Sequence, residues 1–195
     1  MTILSDTEIR YRIEKQRLVE GVKDMAEQLQ PSSLDVRLDR FVKKPEPGSV
    51  DFAYRSTIDQ IVYNNFDLRG DNCCVRGHLT KGFYIAPGDF ILASTVESVN
   101  IPDDIVCVVN GKSTLGRLGI FIHVTAGYVD PGFSGNITLE IYNGGPHGVI
   151  LQEDMMIAQL VFHHMSTPCM KPYGSKGSNN KYHGQQGVTA PKGSR

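Results

Sequence analysis

The sequence contains no Cys-x-x-Cys pair. Its four cysteines are Cys73, Cys74, Cys107 and Cys169, and two adjacent thiols make a poor disulfide or zinc framework. Free thiols in a reducing, cytoplasmic setting are the expectation. Charge of one sign is also lacking: the formal net charge is −1, so no global field draws in nucleic acid or a membrane surface. Any polyanion must be met by a local cluster. No run of about 18 apolar residues occurs, so no membrane-spanning helix is expected. The first residues do not read as a basic-then-apolar signal segment, and no internal repeat is visible.

What is present suits one domain with a tail. The chain has 195 residues, 40% of them hydrophobic, enough for a real core. Its 20 glycines and 10 prolines point to many turns rather than long helices. Residues 4–28 carry the clearest helical signal. Ser5 and Glu8 fit a capping box, and Ile9, Ile13, Leu18, Val22 and Met25 recur at near-helical spacing before Pro31 ends the run. From Ser32 the pattern becomes strand-like. Leu34, Val36 and Leu38 alternate with Asp35, Arg37 and Asp39, which predicts a half-buried strand. Residues 43–48 read as a loop, and residues 50–76 as irregular with short β-prone pieces. Further strands are predicted at 83–85, 90–99, 105–109, 149–151 and 157–163, with turns between them. Many short strands of this kind suggest an antiparallel, all-β core.

The chemistry concentrates between Gly111 and Asn143. Residues 111–117, GKSTLGR, resemble part of a phosphate-binding loop, but the first glycine of that motif is missing: Val106 stands there. An ATPase is therefore excluded. A glycine turn with Lys112, Ser113, Thr114 and Arg117 still suits a di- or triphosphate, and a solvated basic turn is the plain alternative. In 136–142 the residues alternate strictly, Ile137, Leu139 and Ile141 against Thr138, Glu140 and Tyr142. A glutamate inside a strand is uncommon and can act as a proton shuttle, although most glutamates simply face solvent. Asp130 precedes Pro131-Gly132, which is first a turn signal. Beside Tyr128 its carboxylate could also hold a sugar hydroxyl. His163 and His164 point to opposite faces of a strand, and His123 has no evident partner. Zinc is not expected: the zinc deaminase signature ends in Pro-Cys-x-x-Cys, and Pro168-Cys169 is followed by Met170, Lys171 and Pro172. From Lys171 the chain turns polar and glycine-rich, the composition of a disordered tail. Within it, Tyr173, Lys181, Tyr182 and Gln185 are spaced like side chains that could fold over a ligand.

Together these segments resemble the dCTP deaminase family, within the trimeric dUTPase-like superfamily. The matching pieces are QPSSLDVRL at 30–38, PGDF at 87–90, TVESV at 95–99, GKSTLGRLG at 111–119, HVTAGYVDPGF at 123–133, ITLE at 137–140, PYGS at 172–175 and KYHGQ at 181–185. The match fails mainly over residues 42–80. The resemblance implies a distorted antiparallel β-barrel or jelly-roll-like domain over residues 1–173, with an N-terminal helix. Residues 174–195 are then a flexible tail that closes over the site. It implies a homotrimer with sites shared between subunits, dCTP as substrate, and dTTP as a candidate inhibitor. Glu140 takes the place of the catalytic glutamate, with Arg117 and Ser113 ordering it and its water. Lys112, Ser113, Thr114 and Arg117 match the triphosphate turn. Asp130 matches the deoxyribose contact, and Ala126, Thr138 and Leu139 the surroundings of water and base. Tyr173, Lys181 and Gln185 match the closing tail. Mg²⁺ is implied with the triphosphate, carried mostly by phosphate oxygens and waters, and no zinc. The expected reaction is dCTP to dUTP and ammonia. Ala126-Gly127-Tyr128 resembles members that also cleave the triphosphate and give dUMP. A plain dUTPase and a non-catalytic nucleotide sensor are the remaining alternatives.

Overall fold

The computed structural model describes residues 2–45, 50–51, 62–63, 66–67, 74–78, 82–178 and 180–190. Among these, two six-stranded sheets account for most of the strand structure, and every strand pair is antiparallel. One sheet runs Tyr128–Val129, Ile105–Gly111, Met156–His164, Ser33–Arg37, Leu29–Gln30, with Thr2–Ile3 added to Met156–His164. The other runs Ile120–Phe121, Ser134–Asn143, Phe90–Asn100, Phe41–Pro45, Cys74–His78, with Val19–Glu20 added to Phe90–Asn100. Both contribute to one hydrophobic cluster, in which Leu34, Ile105 and Phe162 of the first meet Ile91, Leu139 and Ile141 of the second. The expected mainly-β, jelly-roll-like arrangement is present, and the sheets do not close into a barrel. No helix of the described residues is long and apolar enough to cross a membrane.

The N-terminal helix is shorter than its periodicity suggests. Helix α1, Asp6–Gln16, starts at the expected cap, where Ser5 accepts from Glu8 N–H. It stops at Arg17, which takes the left-handed conformation at φ 56° and returns its N–H to Arg12 O. Val19–Glu20 then pairs with Phe90–Asn100, and a short α2, Met25–Gln28, follows. Leu18, Val22 and Met25 fit a helical period, but a two-residue strand joined to the second sheet places the apolar Leu18 and Val19 in the core. Tertiary pairing overrides the local pattern.

Ser33–Arg37 also departs from expectation: all five residues are buried, not alternate ones. Asp35 and Arg37 are accommodated because each has a charged partner. Asp35 Oδ2 accepts from Lys112 Nζ. Arg37 Nε donates to Glu97 Oε1 at 2.7 Å, and Glu97 is 0% exposed. Gln28 Nε2 and Arg37 N–H complete the shell around Glu97, while Arg37 also reaches Asp154 and Gly21 O. Removing one member of such a pair strands a buried charge. Glu97→Ala is therefore expected to lower unfolding free energy by about 3–5 kcal/mol, measured by urea titration. A loss below about 1 kcal/mol, the usual worth of a surface pair, would contradict this reading.

The predicted strands at 83–85, 90–99, 105–109, 149–151 and 157–163 all appear, within a residue or two at their ends. Of the loop expected at 43–48, residues 43–45 belong to the strand Phe41–Pro45 and residues 46–48 lie outside the described residues. Of 50–76, short strands are described at Val50–Asp51, Val62–Tyr63 and Phe66–Asp67, and the rest of the segment lies mostly outside. Cys107 is unpaired and buried, and burial pushes its thiol pKa well up, which makes it unreactive. Cys169 is unpaired as well. Cys73 lies outside the described residues.

Candidate active site

The strand Ser134–Asn143 carries the site. Its alternation is the one predicted: Ile137, Leu139 and Ile141 enter the core, while Thr138 and Glu140 are half-exposed on the other face. That face forms one wall of a pocket of about 430 Å³. A second wall is the loop at 123–133, and the third is the C-terminal segment from Tyr173 to Thr189.

Glu140 is held by the loop. Its Oε2 accepts from Thr125 N–H at 3.2 Å and Thr125 Oγ1 at 3.1 Å. Its backbone N–H donates to His123 Nδ1 at 3.4 Å. Both carboxylate bonds fall on one oxygen, so the other is available to a ligand in the pocket. A carboxylate oriented in this way, beside a cavity able to hold water, can accept a proton and return it.

Asp130 lines the same pocket and is exposed. The turn predicted after it is present: Phe133 N–H donates to Asp130 O, and Gly132 lies at φ 87°. Glycine is needed there, because a Cβ would come within 2.5 Å of Pro172 and 2.6 Å of Tyr173 O. The close approach lets the tail begin at the pocket rim. Tyr173 N–H donates to Pro131 O, its ring packs 5.7 Å from Phe133, and its hydroxyl accepts from Tyr182 N–H.

Of the predicted site residues, Ala126, Asp130, Thr138, Glu140, Tyr173 and Gln185 line one pocket. Leu139 is wholly buried on the core side, so only its backbone could face a ligand. Lys181 is not a lining residue, though its neighbour Tyr182 is. Lys112, Ser113, Thr114 and Arg117 do not line the pocket either. The last three belong to a five-residue helix, α3, Ser113–Arg117, whose Ser113, Thr114 and Arg117 are exposed, while Lys112 caps it and pairs with Asp35.

Eight further residues line the pocket: Leu92, His123, Tyr128, Val129, Phe133, Ile137, Tyr182 and Thr189. The sequence singled out Tyr182 as able to fold over a ligand, named Tyr128 only as the neighbour of Asp130, and gave Thr189 no role. Thr125, which holds Glu140, had none either. A loop-to-strand contact across 15 residues leaves no periodic trace, so residue type was the only signal, and His123 alone offered one. Gln185 is already engaged within the chain. It was expected among the phosphate-closing residues, yet its Nε2 already donates to Asn136 O at 2.6 Å. Its Oε1 is buried without a hydrogen-bond partner.

A mainly antiparallel β domain with a loop-braced carboxylate in a pocket walled by its own C-terminal segment suits a small polar ligand. Comparison with known proteins narrows this. A family model described as dCTP deaminase-like matches residues 3–165. A protein of Methanosphaera stadtmanae named "dCTP deaminase, dUMP-forming" is 43% identical over 193 residues, covering 98% of this chain and 94% of the relative. One from Dictyoglomus turgidum with the same name is 43% identical over 192 residues, 97% and 94% of the two chains. The crystal structure of 2'-deoxycytidine 5'-triphosphate deaminase from Agrobacterium tumefaciens shares the fold, with a TM-score of 0.65 at 23% identity. The match covers 84% of this chain and 48% of that one, so the chain spans about half its length. The chain belongs to the dCTP deaminase-like family.

Proposed function

We propose that the protein converts dCTP and two waters into dUMP, ammonia and diphosphate. The observation that carries this is the name dCTP deaminase, dUMP-forming, borne by relatives that match nearly the whole chain. It favours dUMP over dUTP as the released product, the alternative to the reaction first expected from the resemblance.

In the proposed mechanism Glu140, braced by Thr125, takes a proton from a water in the pocket. The hydroxide attacks C4 of cytosine, and Glu140 passes the proton on to N3. The carboxylate then takes the proton of the new C4 hydroxyl and gives it to the amino group, which leaves as ammonia as the C4 carbonyl forms. Asp130 accepts a hydrogen bond from the deoxyribose hydroxyl. A second water then breaks the bond between the α- and β-phosphates. General acid–base catalysis of this kind contributes about 10²–10⁴-fold, so positioning and fixed charge must supply the rest.

The fixed charge is the turn of Lys112, Ser113, Thr114 and Arg117, in which Ser113, Thr114 and Arg117 are exposed and Lys112 is paired with Asp35. Because it does not line its own chain's pocket, we assign it to the pocket of a neighbouring copy, in a homotrimer. Pocket and turn are different surfaces, and a head-to-tail contact between different surfaces gives a closed ring when its rotation closes, here after three copies. Lys181 would join the turn at the phosphates. Mg²⁺ is taken to enter with the triphosphate. It would screen phosphate charge while held by phosphate oxygens and waters. dTTP shares the sugar and triphosphate and would compete for the same pocket.

Incubating the protein with dCTP and Mg²⁺ and separating the nucleotides tests the reading. dUMP and diphosphate in equal amounts, without accumulating dUTP, are expected. Accumulating dUTP would reduce the activity to deamination alone, and unchanged dCTP would overturn the proposal.

A further inference from the structure

The strand Phe90–Asn100 breaks its register with Ser134–Asn143 between Ser94 and Ser98. Such a bulge leaves backbone carbonyls outside the ladder, and they need other donors. Asn136 supplies them. Its Nδ2 donates toward Thr95 O at 3.1 Å and toward Val96 O and Glu97 O at 3.2 Å. The same residue faces the C-terminal segment with every other polar group it has. Its Oδ1 accepts from Gly187 N–H at 3.0 Å. Its backbone O accepts from Gln185 Nε2, and its backbone N–H donates to Gln185 O. One residue thus ties a defect in the sheet to the wall of the pocket.

We infer that Asn136 is the positioning residue that docks the C-terminal segment and fixes Gln185 in the wall of the pocket. It acts through Gln185 and touches no substrate itself. Three features support the assignment. The preceding Gly135, at φ 131°, lets Gln185 come so close that a Cβ there would sit 2.4 Å from Gln185 O. Gly135 and Gln185 form a parallel bridge, so the tail runs as a short extra strand at this point. The amide of Asn136 can be satisfied in only one orientation, nitrogen to the three carbonyls and oxygen to Gly187 N–H. An aspartate of the same shape would set a carboxylate against those carbonyls. The pull of Asn136 O on Gln185 Nε2 also explains why Gln185 Oε1 is the atom left buried and unpartnered.

The inference rests on the proposed nucleotide site, but its first test needs no nucleotide. Full-length wild type, Asn136→Ala, Asn136→Asp and the milder Asn136→Ser are exposed to dilute trypsin. Cleavage after Lys176 and Lys181 is followed against cleavage elsewhere in the domain. Loss of the clasp is expected to speed tail cleavage by about tenfold in Asn136→Ala and more in Asn136→Asp, with Asn136→Ser between wild type and alanine. With dCTP and Mg²⁺, KM is expected to rise by about tenfold while kcat changes less than about threefold, as loss of uniform binding predicts. A merely structural residue would open tail and core sites together and would not split KM from kcat. Equal tail cleavage in all four proteins, or parallel loss at core sites, overturns the inference. A wild type inert toward dCTP would sink the functional reading and leave the cleavage result to decide on Asn136.

Discussion

Glu140→Gln is expected to reduce ammonia release from dCTP by at least about 10³-fold while leaving nucleotide binding within about threefold of wild type. The substitution keeps the shape of the side chain and its place on Ser134–Asn143. Thr125 N–H and Oγ1 now donate to Glu140 Oε2, and the glutamine carbonyl oxygen can still accept from them. What is lost is the ability to take a proton from water and hand it to the leaving amino group. A carboxamide can do neither near neutral pH. Ammonia release and equilibrium binding of dCTP, measured on the same preparation, separate the two effects. Turnover within about tenfold of wild type would remove Glu140 from the proton path, because a general base is worth more than that.

The second large effect is a gain from mixing two inactive proteins. Arg117→Ala is expected to be as poor a catalyst as Glu140→Gln if, as proposed, the turn and the pocket complete one site from two chains. In trimers refolded from equal amounts of both variants, a pocket from an Arg117→Ala chain meets the turn of a Glu140→Gln chain in about one quarter of the sites, and activity should recover to about that fraction. The prediction follows from Arg117 being exposed on α3 and absent from the pocket wall formed around Glu140. No recovery in mixed oligomers of confirmed composition, or full activity in a monomer, would contradict a shared site.

The parts of the site that could be read from the sequence are those with a period. Ile137, Leu139 and Ile141 alternate with Thr138 and Glu140, and a strand must then turn Glu140 away from the core. The turn after Asp130 was legible because glycine and proline restrict the backbone in known ways. The failures have equally physical origins. Leu18 and Val22 keep helical spacing, but Arg17 ends the helix and Val19 joins a strand on the far side of the core. Asp35 and Arg37 looked solvent-facing, since a charged residue is normally exposed. Their partners, Lys112 and Glu97, lie 77 and 60 residues away, and no local rule finds them. The same distance problem hid Thr125 behind Glu140 and Asn136 behind Gln185. Composition marked the tail as polar and glycine-rich, yet Gln185 is buried against the sheet because Gly135 admits it.

The most direct test of the account is turnover of dCTP with Mg²⁺ in water enriched in ¹⁸O, followed by mass analysis of the nucleotide and phosphate products. The account predicts one heavy oxygen in the uracil ring of dUMP, from water activated by Glu140. A second should appear on the phosphorus side of the cleaved bond, in dUMP or in diphosphate. A product whose base carries no heavy oxygen, or dCTP that remains unaltered, would contradict it.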